Sequence, residues 1–149
     1  MHMEQNFNIR PAVLSDAETV FNFISHLEER SFDFGQFKEK FQENISRPDI
    51  VYLVAVDQTD EPIAFISCHG QRLLHHHGWV YEIQEMYVGR SFRNRGIGKS
   101  LFMALQERLS ASNIEILEVS THINRSDAKR FYARLGFRNT HVKYVKEII

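Results

Sequence analysis

Cysteine is almost absent from this chain. Cys68 is the only one in 149 residues, so no intramolecular disulfide can form. Its alternating surroundings, from Ile63 to His69, suit a small buried hydrophobe better than a nucleophile. An excess of either charge is also missing. Lys and Arg number 18 and Asp and Glu 19, a net charge of -1 that gives no global pull toward nucleic acid. No apolar run is long enough to cross a bilayer, and no secretory signal pattern is present. The expectation is a cytoplasmic protein with neither a membrane nor a nucleic-acid partner. Linkers, repeats and low-complexity stretches are lacking too. The 43% hydrophobic and 25% charged composition is that of a globular chain, and 1–149 reads as one domain with a sizeable core.

The elements follow from periodicity and punctuation. Phe7 to Arg10 reads as a short strand ended by Pro11. Ser15 and Glu18 have capping-box spacing before a helix whose Val20, Phe21, Phe23, Ile24 and Leu27 share one face. Phe34, Phe37 and Phe41 mark a second helix before Pro48. Strands follow at Ile50 to Val56 and Pro62 to Cys68, around the turn Gln58-Thr59-Asp60-Glu61. A longer strand runs from Trp79 to Val88, then a helix shows Leu101, Phe102, Leu105 and Leu109 at helical spacing. Ile114 to Ser120 is a strand, Ser126 to Leu135 a helix closed by Gly136, and Phe137 to Ile148 one or two terminal strands. The order predicts an α/β (α+β) domain with a mixed, mostly antiparallel sheet flanked by helices.

The chemistry concentrates between Tyr81 and Leu101. A strand ends at Val88, then Arg93-Asn94-Arg95-Gly96-Ile97-Gly98 leads through Lys99 and Ser100 into a helix. Glycines let backbone amides approach an anion, and the helix N-terminus favours negative charge. Arg93, Arg95 and Lys99 add cations, and arginine binds phosphate oxygens bidentately. A P-loop would need glycine at 93, which is Arg, and a dinucleotide fingerprint would need glycine at 101, which is Leu. The Arg-x-x-Gly-x-Gly pattern remains. A plain strand–helix turn with solvated arginines would carry the same residues, so the loop alone does not decide.

Downstream, Asn124 precedes Ser126-Asp127-Ala128 and then Phe131-Tyr132-Ala133-Arg134-Leu135-Gly136-Phe137. With the Arg93 loop, this resembles the GNAT superfamily of acetyl-CoA-dependent N-acetyltransferases. The resemblance implies a GNAT fold and acetyl-CoA as cosubstrate. It implies that the strand end Met86-Tyr87-Val88 and Asn124 hold the pantetheine arm, and that Tyr132 points at the thioester sulfur. A narrower resemblance covers nearly the whole chain, to the aminoalkylphosphonate N-acetyltransferases. It rests on Leu74-His75-His76, Trp79, Glu82-Ile83-Gln84-Glu85, Glu118, Ser120-Thr121, Arg10-Pro11-Ala12 and Phe32-Asp33. It implies small phosphonate-bearing primary amines as acceptors and a divalent metal that assists. Acceptors of aminoglycoside, polyamine or peptide type stay open, as does a non-catalytic acetyl-CoA-binding module. A homodimer is the expectation from symmetry statistics and the family.

Amine acetylation needs a proton acceptor for the amine and a stabilised leaving thiolate. Glu82 and Glu85 lie on the strand that feeds the loop. Strict alternation sets them on opposite faces, and a bulge is the device that would bring both to one. Glu85, nearer the cofactor end, is the favoured base, with Tyr132 as acid. His75 and His76 and the aromatic Phe32 are candidates for the acceptor side. Three consecutive histidines diverge in extended chain, so the metal ligands stay unknown. An anionic acceptor would want a cation such as Arg30, Arg47 or Arg72.

Overall fold

A computed structural model describes residues 6–149. Five strands form one sheet in the order β1-β2-β3-β4-β5: β1 Asn8–Pro11, β2 Ile50–Val56, β3 Pro62–Gln71, β4 Trp79–Val88 and β5 Ile114–Val119. All neighbours are antiparallel except β4 and β5, which run parallel. The β4–β5 crossover is the helix α3, Ile97–Leu109, as parallel strands require. Helices α1 (Ala17–Glu28) and α2 (Phe34–Ile45) precede the sheet's main hairpins, and α4 (Ser126–Arg134) follows β5.

Each face of the sheet buries its own core. On one, Leu53, Ile66, Cys68 and Ile83 meet Leu101, Phe102 and Leu105 of α3. On the other, Val54 and Phe65 meet Val20 and Ile24 of α1 and Phe41 of α2. Cys68 is fully buried, and burial pushes its thiol up to about 12, with the Glu82 charge adding to it. Such a thiol stays protonated at neutral pH and is no nucleophile.

Local chemistry explains the element starts. The α1 entry uses Asp16 rather than Glu18: its carboxylate accepts the Val13 N–H at 2.8 Å and closes a short turn before the helix. Asp33 caps α2 by accepting the Gln36 N–H at 2.9 Å. Asp57 accepts the Thr59 and Glu61 N–H groups and fixes the β2–β3 turn. Asp16 is also nearly buried and pairs with the Arg10 guanidinium through two bonds of 2.8 and 3.0 Å. That pairing, foremost, raises the Arg10 pKa and ties β1 to the α1 entry. Asp16→Ala would leave the Arg10 guanidinium with only the exposed Asp60 carboxylate at 2.9 Å as its ion-pair partner and would strip the Val13 N–H of its acceptor. We expect it to remove about 3 kcal/mol of stability, read as a lower urea midpoint at unchanged slope. A loss under about 1 kcal/mol would put the pair in the class of surface bridges.

The C-terminus departs from expectation. No strand forms between Phe137 and Ile148. Phe137 packs edge-on against Phe102 and Tyr132 and is the last residue held by the core. Beyond it the chain finds no ladder partner in its own body, and β5 remains the sheet edge.

Candidate active site

The site is built on β4. Its ladder to β3 runs to Ala64↔Val88, but its ladder to β5 stops at Ile83↔Val119. Residues 84–88 therefore border a gap where their outward backbone groups have no strand partner. The register to β3 shifts there too: Ser67 opposes Glu85 while Cys68 opposes Ile83, so Gln84 is an extra residue in a bulge. Side chains at 81 and 83 face the α3 core, and after the bulge so does Met86. Glu82 opposes His69, and Glu85 opposes Ser67, on the other face. Strict alternation thus fails, and both carboxylates share one face.

Ser67 orients Glu85. The Ser67 hydroxyl is fully buried, donates to Glu85 Oε1 and accepts the Glu85 N–H at 2.9 Å. Glu82 Oε1 accepts from Gln84 Nε2 at 2.8 Å, and Glu82 stands beside Glu118 in the parallel ladder. None of these three carboxylates is in an ion pair among the described residues. Tyr52 lies on the same face, held by Asn44 at 2.7 Å. Burial first, and the Glu85 charge last, keep its phenol above the ordinary range against that bond. The result is an acidic strip on a half-buried wall, suited to drawing in an amine.

The loop after β4 has the backbone of an anion cradle. Asn94 and Gly96 both have positive φ, 63° and 77°, and Gly96 caps α3. The first helical bond runs from Ser100 N–H to Gly96 C=O at 3.0 Å, so the amides of Ile97, Gly98 and Lys99 precede it and stay open to a ligand. Gly98 marks a close approach of α3 to β4: a Cβ there would stand 3.0 Å from the Met86 methyl, which would have to shift by a few tenths of an ångström. Arg93 donates Nε to the Val88 carbonyl at 3.0 Å and lays its guanidinium over Tyr87. Tyr87 in turn packs on Phe23 of α1. The loop, α3 and Phe131 of α4 enclose a cleft of about 380 Å³. This arrangement fits a pyrophosphate-bearing cosubstrate.

Tyr132 reaches the same region from α4. Its hydroxyl is 3.6 Å from the Met86 sulfur, beside the β4 gap. Burial pushes its phenol up to about 12, so it is a proton donor at neutral pH. Asn124 sits in the exposed turn after β5, its N–H 3.2 Å from His122 Nδ1.

The acceptor-side candidates scatter. Phe32 packs against the α1–α2 core under the Arg30 guanidinium. His75 and His76 touch each other in the loop before β4, with His76 Nδ1 3.4 Å from Glu115. None of the three lines either large cleft. No group of three or more His, Cys, Asp or Glu side chains suited to a metal occurs among the described residues, so the donor set does not fit a resident metal. Two features escaped sequence reasoning. One is Ser67, whose role needs the bulge register. The other is an open cleft of about 640 Å³ lined by Arg47, His69, Arg72 and Trp79. Arg47 is paired with Asp49 at 2.9 Å, while Arg72 stacks over Trp79 and faces no carboxylate partner among the described residues.

Comparison with known proteins agrees with this geometry. Residues 17–137 match the Acetyltransferase (GNAT) family. The chain is 34% identical over 140 residues to the aminoalkylphosphonate N-acetyltransferase of Salmonella typhimurium, covering 94% of this chain and 90% of that protein. A solved transcriptional regulator from Bacillus halodurans superposes with a TM-score of 0.87 at 21% identity, covering 95% and 99% of the two chains. Glucosamine-6-phosphate N-acetyltransferase from Arabidopsis thaliana gives 0.77 at 22%, covering 97% and 100%. These two structural likenesses speak to the fold. No helix among the described residues is long and apolar enough to cross a membrane. A strand that parts from its neighbour, an open-amide loop on α3 and a full-length enzyme relative converge: this chain is an acetyltransferase of the GNAT family.

Proposed function

We propose that the protein, one catalytic domain over 1–149, transfers the acetyl group of acetyl-CoA to the primary amine of a small anionic molecule, foremost an aminoalkylphosphonate. The observation that carries the reading is the bulge at Gln84, which sets Glu82 and Glu85 on one face where β4 leaves β5. In this reading Glu85 accepts the ammonium proton, and Glu82 holds the amine by charge. Asn124 and the backbone of Met86, Tyr87 and Val88 hold the pantetheine arm. Arg93, Asn94, Arg95, Gly96, Ile97, Gly98, Lys99 and Ser100 hold the pyrophosphate. Tyr132 donates its proton to the departing sulfur. The protein works as a cytoplasmic homodimer.

Two observations support the anionic acceptor. The Salmonella relative is named for aminoalkylphosphonates. The Arg72 cleft shares His69 with the acidic strip, since His69 opposes Glu82. An amine end on the carboxylates and an anionic end on Arg72, Arg47 and His69 would be read together. The test is thiol release from acetyl-CoA with 2-aminoethylphosphonate, its carboxylate analogue and ethylamine. We expect the phosphonate to exceed ethylamine in kcat/KM, and Arg72→Ala to lower the phosphonate value about 10-fold, roughly 1.4 kcal/mol of transition-state binding. Equal rates for all three amines would remove the anionic acceptor and leave acetyl transfer standing. Tight acetyl-CoA binding without thiol release for any amine would favour a binding module.

A further inference from the structure

Two arginines of the loop after β4 rest on aromatic rings. The Arg93 guanidinium lies 5.2 Å from the ring centre of Tyr87, and that of Arg95 lies 5.9 Å from the ring centre of Phe92. Neither is in an ion pair among the described residues, whereas Arg10 and Arg47 are each paired with aspartate. The difference matters in an anion cradle. A carboxylate fixes a guanidinium by neutralising it, and then competes with any phosphate that arrives. A ring face restrains the cation and leaves its charge and its hydrogen-bonding edge uncommitted.

We propose that Tyr87 is a positioning residue for the cosubstrate, its ring holding Arg93 in the orientation that meets the pyrophosphate. Three observations carry this. The first is the path of the chain. The turn from Gly89 to Phe92 is closed by the Phe92 N–H on the Gly89 carbonyl at 2.8 Å, and the Gly89 N–H donates to the Ile63 carbonyl at 2.8 Å. The turn returns Arg93 to the end of β4, where its Nε donates to the Val88 carbonyl at 3.0 Å. The second is what remains of the guanidinium. With Nε used and one face on Tyr87, the N–H groups of its terminal nitrogens make no hydrogen bond among the described residues. Arg93 lines the cleft of about 380 Å³ together with Gly96, Gly98 and Lys99. The third is that the Tyr87 ring is itself fixed by α1. Phe23 packs on it with ring centres 5.1 Å apart, and His26 lies nearly parallel to it at 6.3 Å. His26 is held in turn, its Nδ1 2.7 Å from the Asn22 carbonyl. An exposed arginine is thereby ordered before the ligand arrives, which lowers the entropy lost on binding.

The proposal rests on the reading that this loop holds acetyl-CoA, and binding tests it apart from acetyl transfer. Calorimetric titration of the full chain with coenzyme A gives the dissociation constant. Tyr87→Leu should raise it about 5-fold, the scale of one cation–π contact, while Tyr87→Phe, which keeps the ring, should stay within about 2-fold of the native value. Arg93→Ala should raise it at least as much as Tyr87→Leu, and adding Tyr87→Leu to Arg93→Ala should change nothing further. Thiol release from acetyl-pantetheine, a donor without the pyrophosphate, supplies the second readout. The kcat/KM for acetyl-CoA relative to acetyl-pantetheine should fall about 5-fold in Tyr87→Leu. Both donors meet the same enzyme, so any loss of folded protein cancels in that ratio. Native affinity in Tyr87→Leu beside a weakened Arg93→Ala would overturn the assignment and leave the cradle standing. An equal loss in the Arg93→Ala background would also overturn it, because the ring would then act on the fold and not on the arginine. The expected binding pattern in a chain that releases no thiol for any amine would sink acetylation and keep Tyr87 in its role.

Discussion

Glu85→Gln is expected to lower kcat by roughly 10²- to 10³-fold, the scale of one positioned proton acceptor, with the KM for acetyl-CoA unchanged. The reason is geometric. Glutamine keeps the length and the carbonyl oxygen that accepts the Ser67 hydroxyl, so the bulge should hold. It loses only the capacity to take the ammonium proton. Glu82→Gln should instead raise the KM for the amine, because that side chain already spends one oxygen on Gln84 and lies one bulge farther from the gap. Steady-state kinetics with both substrates varied separates the two. A Glu85→Gln enzyme at full speed would show that the proton leaves by another route.

Tyr132→Phe should lower kcat by about 10²-fold if a proton reaches the sulfur as the bond breaks. It should spare the fold, since the ring stays packed on Phe131 and Phe137 and the hydroxyl's partner is only a methionine sulfur. The sign of the pH effect follows from the raised phenol. With its pKa pushed up to about 12, Tyr132 keeps its proton through neutral and moderately alkaline pH. The rate of the native enzyme should therefore not fall for want of this proton below about pH 10. An alkaline limb that lies lower and vanishes in Tyr132→Phe would place the titrating group on Tyr132 after all. Unchanged turnover would remove Tyr132 from the scheme.

Much of this was legible in the residues. The apolar stripe of Leu101, Phe102, Leu105 and Leu109 becomes the α3 core face, and the Arg93 loop becomes an αL turn on a helix N-terminus. What failed depends on partners that lie far apart in sequence. The register shift opposite Ser67 and Cys68 is a property of two strands, so periodicity along β4 alone set Glu82 and Glu85 apart. The Arg47–Arg72 cleft joins the end of α2 to the end of β3, a meeting that only the fold creates. The terminal strands failed differently. Their composition is right, but a strand needs an edge, and within one copy residues 138–149 reach none.

The extra residue at Gln84 also constrains the length of the chain. Faces along β4 depend on the parity of the count between Ile83 and Met86. Losing one residue there would restore a regular ladder with Glu85, Met86, Tyr87 and Val88 still on their present sides. The core would accept such a chain. What would vanish is the local bend that bulges impose, and with it the parting of β4 from β5. A single-residue deletion could thus yield a stable, correctly packed protein with no slot for its cosubstrate, so the tolerance of this strand to changes in length is set by ligand access and not by folding.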